Sequence, residues 1–187
     1  MNVVIFGPPG AGKGTQAQNI VNKYNLHQVS TGDLLRTEIK NKSEIGKEIE
    51  EIISKGDFAT DDIVNKIIKR IIFDPQNKNK LIFDGYPRSL SQAKNLDLLL
   101  GSSNQKIDFI FFLNVNKNTI IKRIEKRKIL ENRSDDDLNT ILKRFDSYME
   151  TTRPVLDFYS KNKNFLEIDG TQEIEEITSK IDTFINV

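Results

Sequence analysis

The sequence predicts an α/β fold of three layers, in which helices cover both faces of a central parallel sheet. Two observations support this prediction. Short apolar segments alternate with amphipathic segments along all 187 residues, which is the pattern of successive β–α–β units with right-handed crossovers. In addition, a glycine-rich stretch directly follows the first apolar segment, and ligands of such folds bind beyond the carboxyl ends of the strands.

Five short apolar segments are predicted to be the strands of the sheet. Segment 109–113 is the most hydrophobic part of the chain, and segment 81–84 is stopped by Gly85. Continuous apolar runs of this length are typical of parallel strands that are buried on both faces. The predicted strands are 2–6, 27–30, 81–84, 109–113 and 165–168.

Helices are predicted between the strands, where apolar residues recur at about every 3.6 positions. Segments 13–24, 61–73 and 171–185 show this spacing. Another helix is expected to begin at Ser134, because the aspartates that follow it are favourable in a first helical turn. Pro154 is expected to end or kink that helix. Since no repeat, linker or low-complexity tract interrupts the series, residues 1–187 are expected to form one domain.

The composition argues against several classes of protein. Cysteine is absent, which excludes disulfides and fits a reducing compartment. The formal charge is only +1, from 28 basic and 27 acidic residues, whereas a general nucleic-acid binder has a strongly basic surface. No secretory signal is visible, and no apolar stretch reaches the roughly 20 residues of a membrane helix. We therefore expect a cytoplasmic protein without a nucleic-acid or membrane partner.

The segment GPPGAGKGT, residues 7–15, joins the first predicted strand to the first predicted helix. Its glycines allow backbone N–H groups to point at phosphate oxygens at a helix N-terminus, and Lys13 can extend beside the β- and γ-phosphates. The P-loop pattern G-x-x-x-x-G-K-[ST] is matched up to Lys13, but Gly14 stands where Ser or Thr is expected and Thr15 comes one place later. The alternative is a glycine-rich turn without a ligand, and the strand–loop–helix context argues against it.

Two more polar segments follow predicted strands. In STGDLLR, residues 30–36, the Thr31 hydroxyl can cap a helix or meet a base. In DGYPRS, residues 84–89, Asp84 is well placed to orient Mg²⁺ or its waters, and a tight turn presents Arg88. Taken alone, the first segment could be a helix cap and the second an ordinary turn.

The arginines are candidates for phosphate binding, since lysine outnumbers arginine by 20 to 8 and supplies the ordinary surface charge. Arg123 and Arg127 are four positions apart and share one helix face. Arg133 and Arg144 are eleven apart, close to three helical turns. Converging guanidiniums are stabilised by the phosphates that planar arginine forks grip in pairs of hydrogen bonds. A solvated basic face is the alternative.

Over nearly the whole chain these segments resemble adenylate kinases, and in particular their short-lid members. The ending GKGT of the phosphate loop is similar to that of nucleoside monophosphate kinases rather than that of GTPases, where the hydroxyl after Lys holds Mg²⁺ directly. The resemblance implies a monomeric phosphotransferase that needs Mg²⁺, moves the terminal phosphoryl group of ATP to AMP and gives two ADP, and so serves adenine nucleotide balance.

The resemblance also implies which residues act. It assigns ATP binding to Gly10, Ala11, Gly12, Lys13, Gly14, Thr15, Arg127 and Gln172. It assigns AMP binding to Thr31, Arg36, Asp57, Phe58, Ala59, Gly85, Tyr86, Pro87, Arg88, Gln92, Arg133 and Arg144. It assigns the catalytic charges to Lys13, Arg88, Arg123, Arg127, Arg133 and Arg144, with Asp84 meeting Mg²⁺ through water.

Two mobile insertions are expected by the same resemblance. Residues 30–59 match the AMP-binding flap, in which Phe58 and Ala59 replace the commoner Leu or Ile and Val. Residues 126–136 match a short lid. Long-lid members carry an insertion there, often with four cysteines that hold zinc, and both features are missing here. No structural zinc is therefore expected.

The sequence disfavours three alternatives to an adenylate kinase. A UMP/CMP kinase on the same scaffold is disfavoured by Thr31 and Gln92, because related pyrimidine kinases usually carry Ala and Asn in these places. A P-loop regulator without turnover is disfavoured by the arginine set. A nucleic-acid-binding module is disfavoured by the near-neutral charge.

Overall fold

The computed structural model describes residues 1–54, 60–131 and 138–187, and the side chains of residues 1–50, 60–126 and 142–187. Within this part of the chain, five parallel strands form one sheet in the order β2–β3–β1–β4–β5. The predicted α/β fold with a five-stranded parallel sheet is confirmed. The strands are β1 (Val3–Phe6), β2 (His27–Ser30), β3 (Leu81–Asp84), β4 (Phe109–Asn114) and β5 (Phe165–Asp169).

Helices connect the strands and cover both faces of the sheet. The helices in the described residues are α1 (Lys13–Tyr24), α2 (Thr31–Lys40), α3 (Glu44–Ser54), α4 (Asp61–Ile72), α5 (Leu90–Ser102), α6 (Lys117–Glu131), α7 (Leu138–Ser147), α8 (Arg153–Tyr159) and α9 (Ile174–Ile185). A 3₁₀ turn (Pro75–Asn77) follows α4. None of these helices is both long and apolar enough to cross a bilayer.

The core has two halves, one on each face of the sheet, because successive side chains of a strand point to opposite faces. Val4 and Phe6 of β1 belong to the half that also contains the apolar faces of α4, α5 and α8. Val3 and Ile5 belong to the half that contains apolar residues of α1, α6 and α9. All four side chains are at most 3% exposed, which explains why β1 is a continuous apolar run rather than an alternating one.

The helix after β5 begins later than the sequence predicts. The prediction placed its start at Thr171, whereas α9 begins at Ile174. The Asp169 carboxylate accepts hydrogen bonds from both the backbone N–H (2.9 Å) and the hydroxyl (2.7 Å) of Thr171. These bonds satisfy the backbone N–H of Thr171 outside a helix. Side chains of aspartate and threonine often compete with helix formation in this way.

Pro154 breaks the regular helix, as predicted. It is the second residue of α8, and the turn before it, Tyr148–Thr152, is π-helical. Proline has no N–H and its ring clashes with the carbonyl group four residues earlier, so the α-helical hydrogen-bond pattern cannot continue through it. The predicted helix start at Ser134 lies outside the described residues.

The Ser30 side chain, rather than that of Thr31, caps the helix after β2. The Ser30 hydroxyl accepts a hydrogen bond from the backbone N–H of Asp33 at 3.5 Å, and Thr31 is the first residue of α2. A serine with extended backbone is a favoured N-cap residue. The Thr31 hydroxyl is thus available for a different contact, at the neighbouring strand end.

Candidate active site

The loop between β1 and α1 has the backbone conformation that a phosphate cradle needs. Gly10 and Gly12 have φ angles of +80° and +94°, which are left-handed values that favour glycine. At Gly10 an added Cβ would also lie 3.0 Å from the Ile124 side chain of α6. Gly12 precedes α1, whose first turn contains no acidic side chain. The N-terminus of α1, with the positive end of the helix dipole, is therefore suited to binding an anion.

Two cationic side chains border this loop. The Lys13 ammonium donates to the carbonyl oxygens of Gly7 (2.7 Å) and Pro8 (3.1 Å). The Arg123 guanidinium of α6 donates to the Ala11 carbonyl oxygen at 3.2 Å. A loop of N–H groups flanked by one ammonium and one guanidinium is suited to a polyphosphate chain.

A second cationic turn lies at the end of β3. Gly85 has φ +77°, and the peptide bond between Tyr86 and Pro87 is cis. The Gly85 carbonyl oxygen accepts hydrogen bonds from the Arg88 Nε (2.7 Å) and from the Thr31 hydroxyl (3.0 Å). A Cβ on Gly85 would lie 3.0 Å from the Arg88 guanidinium, so this position needs glycine for its space as well as for its φ angle.

The surroundings of the Arg88 guanidinium do not favour its positive charge. Arg88 is solvent-exposed as a residue, yet removal of water around its guanidinium, followed by the nearby positive charge of Arg144, lowers the pKa of Arg88. The Asp84 carboxylate acts in the opposite direction. A guanidinium that has lost water and lies near a second positive charge is stabilised when an anion binds beside it.

The two turns leave the sheet side by side. β1 and β3 are neighbours, and Ile5 pairs with Asp84. The loop that starts at Gly7 and the turn that starts at Gly85 therefore emerge from adjacent strands, which are about 4.8 Å apart in a sheet. The Asp84 carboxylate also lies 3.9 Å from the place that a Cβ would take on Gly14. Two turns with cationic side chains thus share one edge of the sheet.

A small apolar pocket lies beside the second turn. It is a narrow crevice with no space for a water molecule, and it is lined by Thr31, Leu34, Leu35, Val64, Ile67 and Ile68. The isoleucines of 61–73 were predicted to form the apolar face of a helix, and this is confirmed, since Ile67 and Ile68 are at most 2% exposed and belong to the core.

Gln92 is buried, and its side-chain amide bonds to protein at both ends. Its Oε1 accepts from the backbone N–H of Arg88 at 2.7 Å, and its Nε2 donates to the Asp61 carboxylate at 2.6 Å. Asp61 also accepts from the Ser89 hydroxyl at 3.1 Å. Sequence analysis singled out Gln92 but missed Asp61 and this contact of Ser89, because residues 31 and 28 positions apart show no relation in sequence.

Three other residues that were assigned to nucleotide binding form contacts with protein groups in the structure. The Tyr86 side chain is 1% exposed and its hydroxyl donates to Asn65 on α4, so only its backbone can face a nucleotide. The Arg36 guanidinium forms an exposed 2.6 Å ion pair with Asp33. The Gln172 Oε1 accepts from the Lys180 ammonium at 2.7 Å.

Asp84 and the segment after β5 also have defined contacts. The Asp84 Oδ2 accepts from the Gln28 amide at 3.1 Å. After β5, hydrogen bonds from Thr171 lower the pKa of the Asp169 carboxyl, and a Cβ added to Gly170 would lie 2.5 Å from the Val115 side chain. Arg127 lies in α6, but its side chain is outside the described part of the chain, as are Arg133, Asp57, Phe58 and Ala59.

The sheet order and the loop after β1 define the class: this is a P-loop α/β protein. The family model described as adenylate kinase matches residues 5–164 of the chain. The chain is 46% identical to the adenylate kinase of Pelagibacter ubique, with 100% of both chains covered. It is 42% identical to that of Azobacteroides pseudotrichonymphae (97% of this chain, 95% of the relative) and 33% identical to that of Thermosipho africanus (97% of each). The chain belongs to the adenylate kinase family, and the resemblance stated from its sequence is confirmed.

Proposed function

We propose that this protein is an ATP:AMP phosphotransferase, which moves the terminal phosphoryl group of ATP to AMP and gives two ADP. The observation that carries the proposal is the adjacency of two cationic turns, one after β1 and one after β3. A protein that only binds ATP needs the first turn alone. A phosphotransferase needs a second anion site at the position from which the acceptor attacks.

The donor phosphates are proposed to lie on the loop after β1. The N–H groups of residues 10–15 bind phosphate oxygens, with Lys13 and Arg123 beside the migrating group. Lys13 and Arg123 donate to carbonyl oxygens of the loop, which holds both cations beside the proposed phosphate position. Arg127 and Gln172 are proposed to extend the same site.

The acceptor phosphate is proposed to lie between Arg88 and Arg144, with Arg36 released from Asp33 to join them. The acceptor base is proposed to lie beside Thr31 and Gln92. The apolar side chains around Val64 leave too little room for even a water molecule, so they would have to move apart to admit a base. Gly85, Tyr86 and Pro87 contribute the shape of the turn. Since the attacking phosphate oxygen of AMP is already ionised, no side chain has to remove a proton. Catalysis then rests on alignment and on neutralised charge.

Residues outside the described part of the chain complete the proposal. Residues 30–59 are proposed as the AMP-binding flap, with Asp57, Phe58 and Ala59 closing over the base. Residues 126–136 are proposed as a short lid that supplies Arg133. The alignment with the Pelagibacter relative spans 213 positions, whereas this chain has 187 residues. This difference supports the proposal that the chain lacks the long-lid insertion.

The donor set at the strand ends fits Mg²⁺, which prefers hard oxygen ligands and keeps several waters. Asp84 stands beside Gly14 of the phosphate loop, and the hydroxyl of Thr15 is one residue further on. Among the described residues no cluster of three or more His, Cys, Asp or Glu could hold a metal, so the ion would depend mainly on nucleotide phosphates and on Asp84. When bound, Mg²⁺ supplies charge neutralisation of the phosphates. The absence of structural zinc, a monomeric state and a cytoplasmic location remain part of the proposal.

Parallel assays with four acceptors test the function. Mg-ATP is supplied with AMP, UMP, CMP or dTMP, ADP formation is followed, and one reaction omits the acceptor. A strong preference for AMP that disappears without Mg²⁺ supports the proposal. A preference for a pyrimidine nucleotide contradicts the base-site assignment, and ATP binding without transfer to any acceptor contradicts the enzymatic function.

A further inference from the structure

Asp61, Ser89 and Gln92 form a closed ring of hydrogen bonds next to the second cationic turn. The Ser89 hydroxyl donates to one Asp61 oxygen at 3.1 Å and accepts from the backbone N–H of Gln92 at 3.2 Å. The Gln92 Nε2 donates to the other Asp61 oxygen at 2.6 Å. Asp61 is the first residue of α4, and Ser89 caps α5. The ring therefore connects the starts of two helices.

The partners of Gln92 leave its amide only one orientation. Arg88 offers it a backbone N–H, which can only donate, and Asp61 offers a carboxylate, which can only accept when ionised. A flipped amide would place an oxygen against the carboxylate and an NH₂ group against an N–H. Both contacts oppose the flip, and Gln92 is only 6% exposed, so water cannot easily replace the lost partners.

A fixed amide retains one free donor and one free acceptor. Glutamine has two N–H donors and two acceptor lone pairs, and the contacts with Asp61 and Arg88 use one of each. The remaining N–H and lone pair therefore occupy fixed positions. The Gln92 amide accepts from the backbone of Arg88 in the second cationic turn, so its free polar positions lie beside the proposed acceptor site.

We infer that Asp61 is a positioning residue that holds the Gln92 amide in one orientation and thereby favours a 6-aminopurine acceptor over a 6-oxopurine acceptor. This inference rests on the proposed function. Adenine presents an acceptor nitrogen next to an amino donor, whereas hypoxanthine presents an N–H donor next to a carbonyl acceptor. An amide that could flip would match either edge. An amide fixed by Asp61 matches one of them.

The test compares AMP with IMP as acceptor in the wild type, Asp61→Ala, Asp61→Asn and Asp62→Ala. Asp61→Ala is expected to lower the ratio of kcat/KM for AMP to that for IMP about tenfold, mainly through the KM of the acceptor, with the KM of ATP unchanged. Asp61→Asn retains an oxygen that can accept from Gln92, so it is expected to restore most of the ratio. Asp62 is exposed and in the same helical turn, so Asp62→Ala controls for charge at the helix N-terminus and should leave the ratio unchanged.

Two results would overturn the role of Asp61. One is an unchanged AMP-to-IMP ratio in Asp61→Ala. The other is an equal loss with both acceptors in Asp61→Ala and Asp61→Asn, which would indicate a purely structural contribution. A wild-type protein that transfers no phosphoryl group to AMP would instead contradict the proposed function, so the two failures are distinguishable.

Discussion

The hydroxyl of Thr152 donates a hydrogen bond to the backbone carbonyl oxygen of Arg88 at 3.1 Å. Thr152 is 5% exposed and is the last residue of the π-helical turn before α8. The irregular turn before Pro154 thus contains the residue, Thr152, that bonds to the turn after β3. π-Helical turns occur frequently at functional sites, and here the irregular turn supplies a contact to the backbone of a phosphate-binding residue.

Removal of this contact should loosen the acceptor site. Thr152→Val keeps the side-chain volume but leaves the Arg88 carbonyl without that donor, so we expect the free energy of unfolding to fall by about 1 kcal/mol and the KM for AMP to rise about threefold to tenfold. Steady-state kinetics with varied AMP and a thermal melt check this. Thr183→Val is the matched control, since Thr183 is exposed and its hydroxyl donates to Ser179 within α9. An equal effect of both variants on KM would contradict the role of Thr152.

The guanidinium of Arg88 should be essential for transfer. The hydrogen bond from its Nε to the Gly85 carbonyl oxygen fixes the guanidinium at the proposed acceptor site. We expect Arg88→Ala to lower kcat/KM for AMP by about 100-fold or more, with little change in ATP binding. Lys106→Ala controls for the loss of one positive charge, because Lys106 is exposed and precedes β4 at the opposite edge of the sheet. Undiminished turnover of Arg88→Ala would mean that the acceptor site is misassigned.

Two helical glycines should respond in opposite ways to alanine. An added Cβ on Gly46 of α3 would lie 2.0 Å from the carbonyl oxygen of Glu38, whereas one on Gly101 of α5 would meet no atom within 4 Å. We expect Gly46→Ala to destabilise the protein by about 1–3 kcal/mol, since α2 and α3 must separate, and to weaken AMP binding. Gly101→Ala should be neutral or stabilising by up to about 1 kcal/mol, because alanine is the better helix former. Thermal melts of the two variants decide the matter, and similar shifts in both would count against this packing of α2 on α3.

Glu38 should make a pH-dependent contribution to stability. Its carboxylate accepts hydrogen bonds from Ser43 and Arg70, and these two partners, Ser43 first, lower the pKa of Glu38 below 4.5. A carboxyl whose pKa is lower in the folded state stabilises the fold above its unfolded pKa and loses that effect as the pH falls through the folded value. We therefore expect Glu38→Gln to cost about 1–2 kcal/mol at pH 7. Urea unfolding between pH 7 and pH 3 should show this difference shrinking below pH 4.5, and a constant difference would exclude the ionic contribution.

The sequence was sufficient for most of the fold, because the strands carry their own boundaries. Leu81–Asp84 is an apolar run stopped by Gly85, and it is β3 without a change at either end. Glycines at residues 7, 10 and 12 likewise predicted the loop after β1. These features depend on short-range chemistry, in which apolar runs form buried strands and glycines permit left-handed turns.

The contacts that complete the site depend on distant partners and could not be predicted in this way. Asp61 meets Gln92 only because α4 and α5 pack together. Thr171 was expected to begin a helix, and its contacts with Asp169 hold it in a turn instead. Tyr86 was assigned to AMP binding, but its side chain lies in the core and its hydroxyl bonds to Asn65. Sequence motifs identify which residues are polar and close to a strand end, but not which direction each side chain takes.

The most direct test of the central claim follows the γ-phosphorus of ATP. ATP labelled with ³²P in the γ-phosphate is mixed with unlabelled AMP and Mg²⁺ for less than one turnover, and the products are separated. Direct transfer between the turns after β1 and β3 predicts label in the β-phosphate of ADP formed from AMP, with little inorganic phosphate. Label that appears mainly as inorganic phosphate, at a rate that does not depend on AMP, would contradict the account, because water rather than AMP would then be the acceptor.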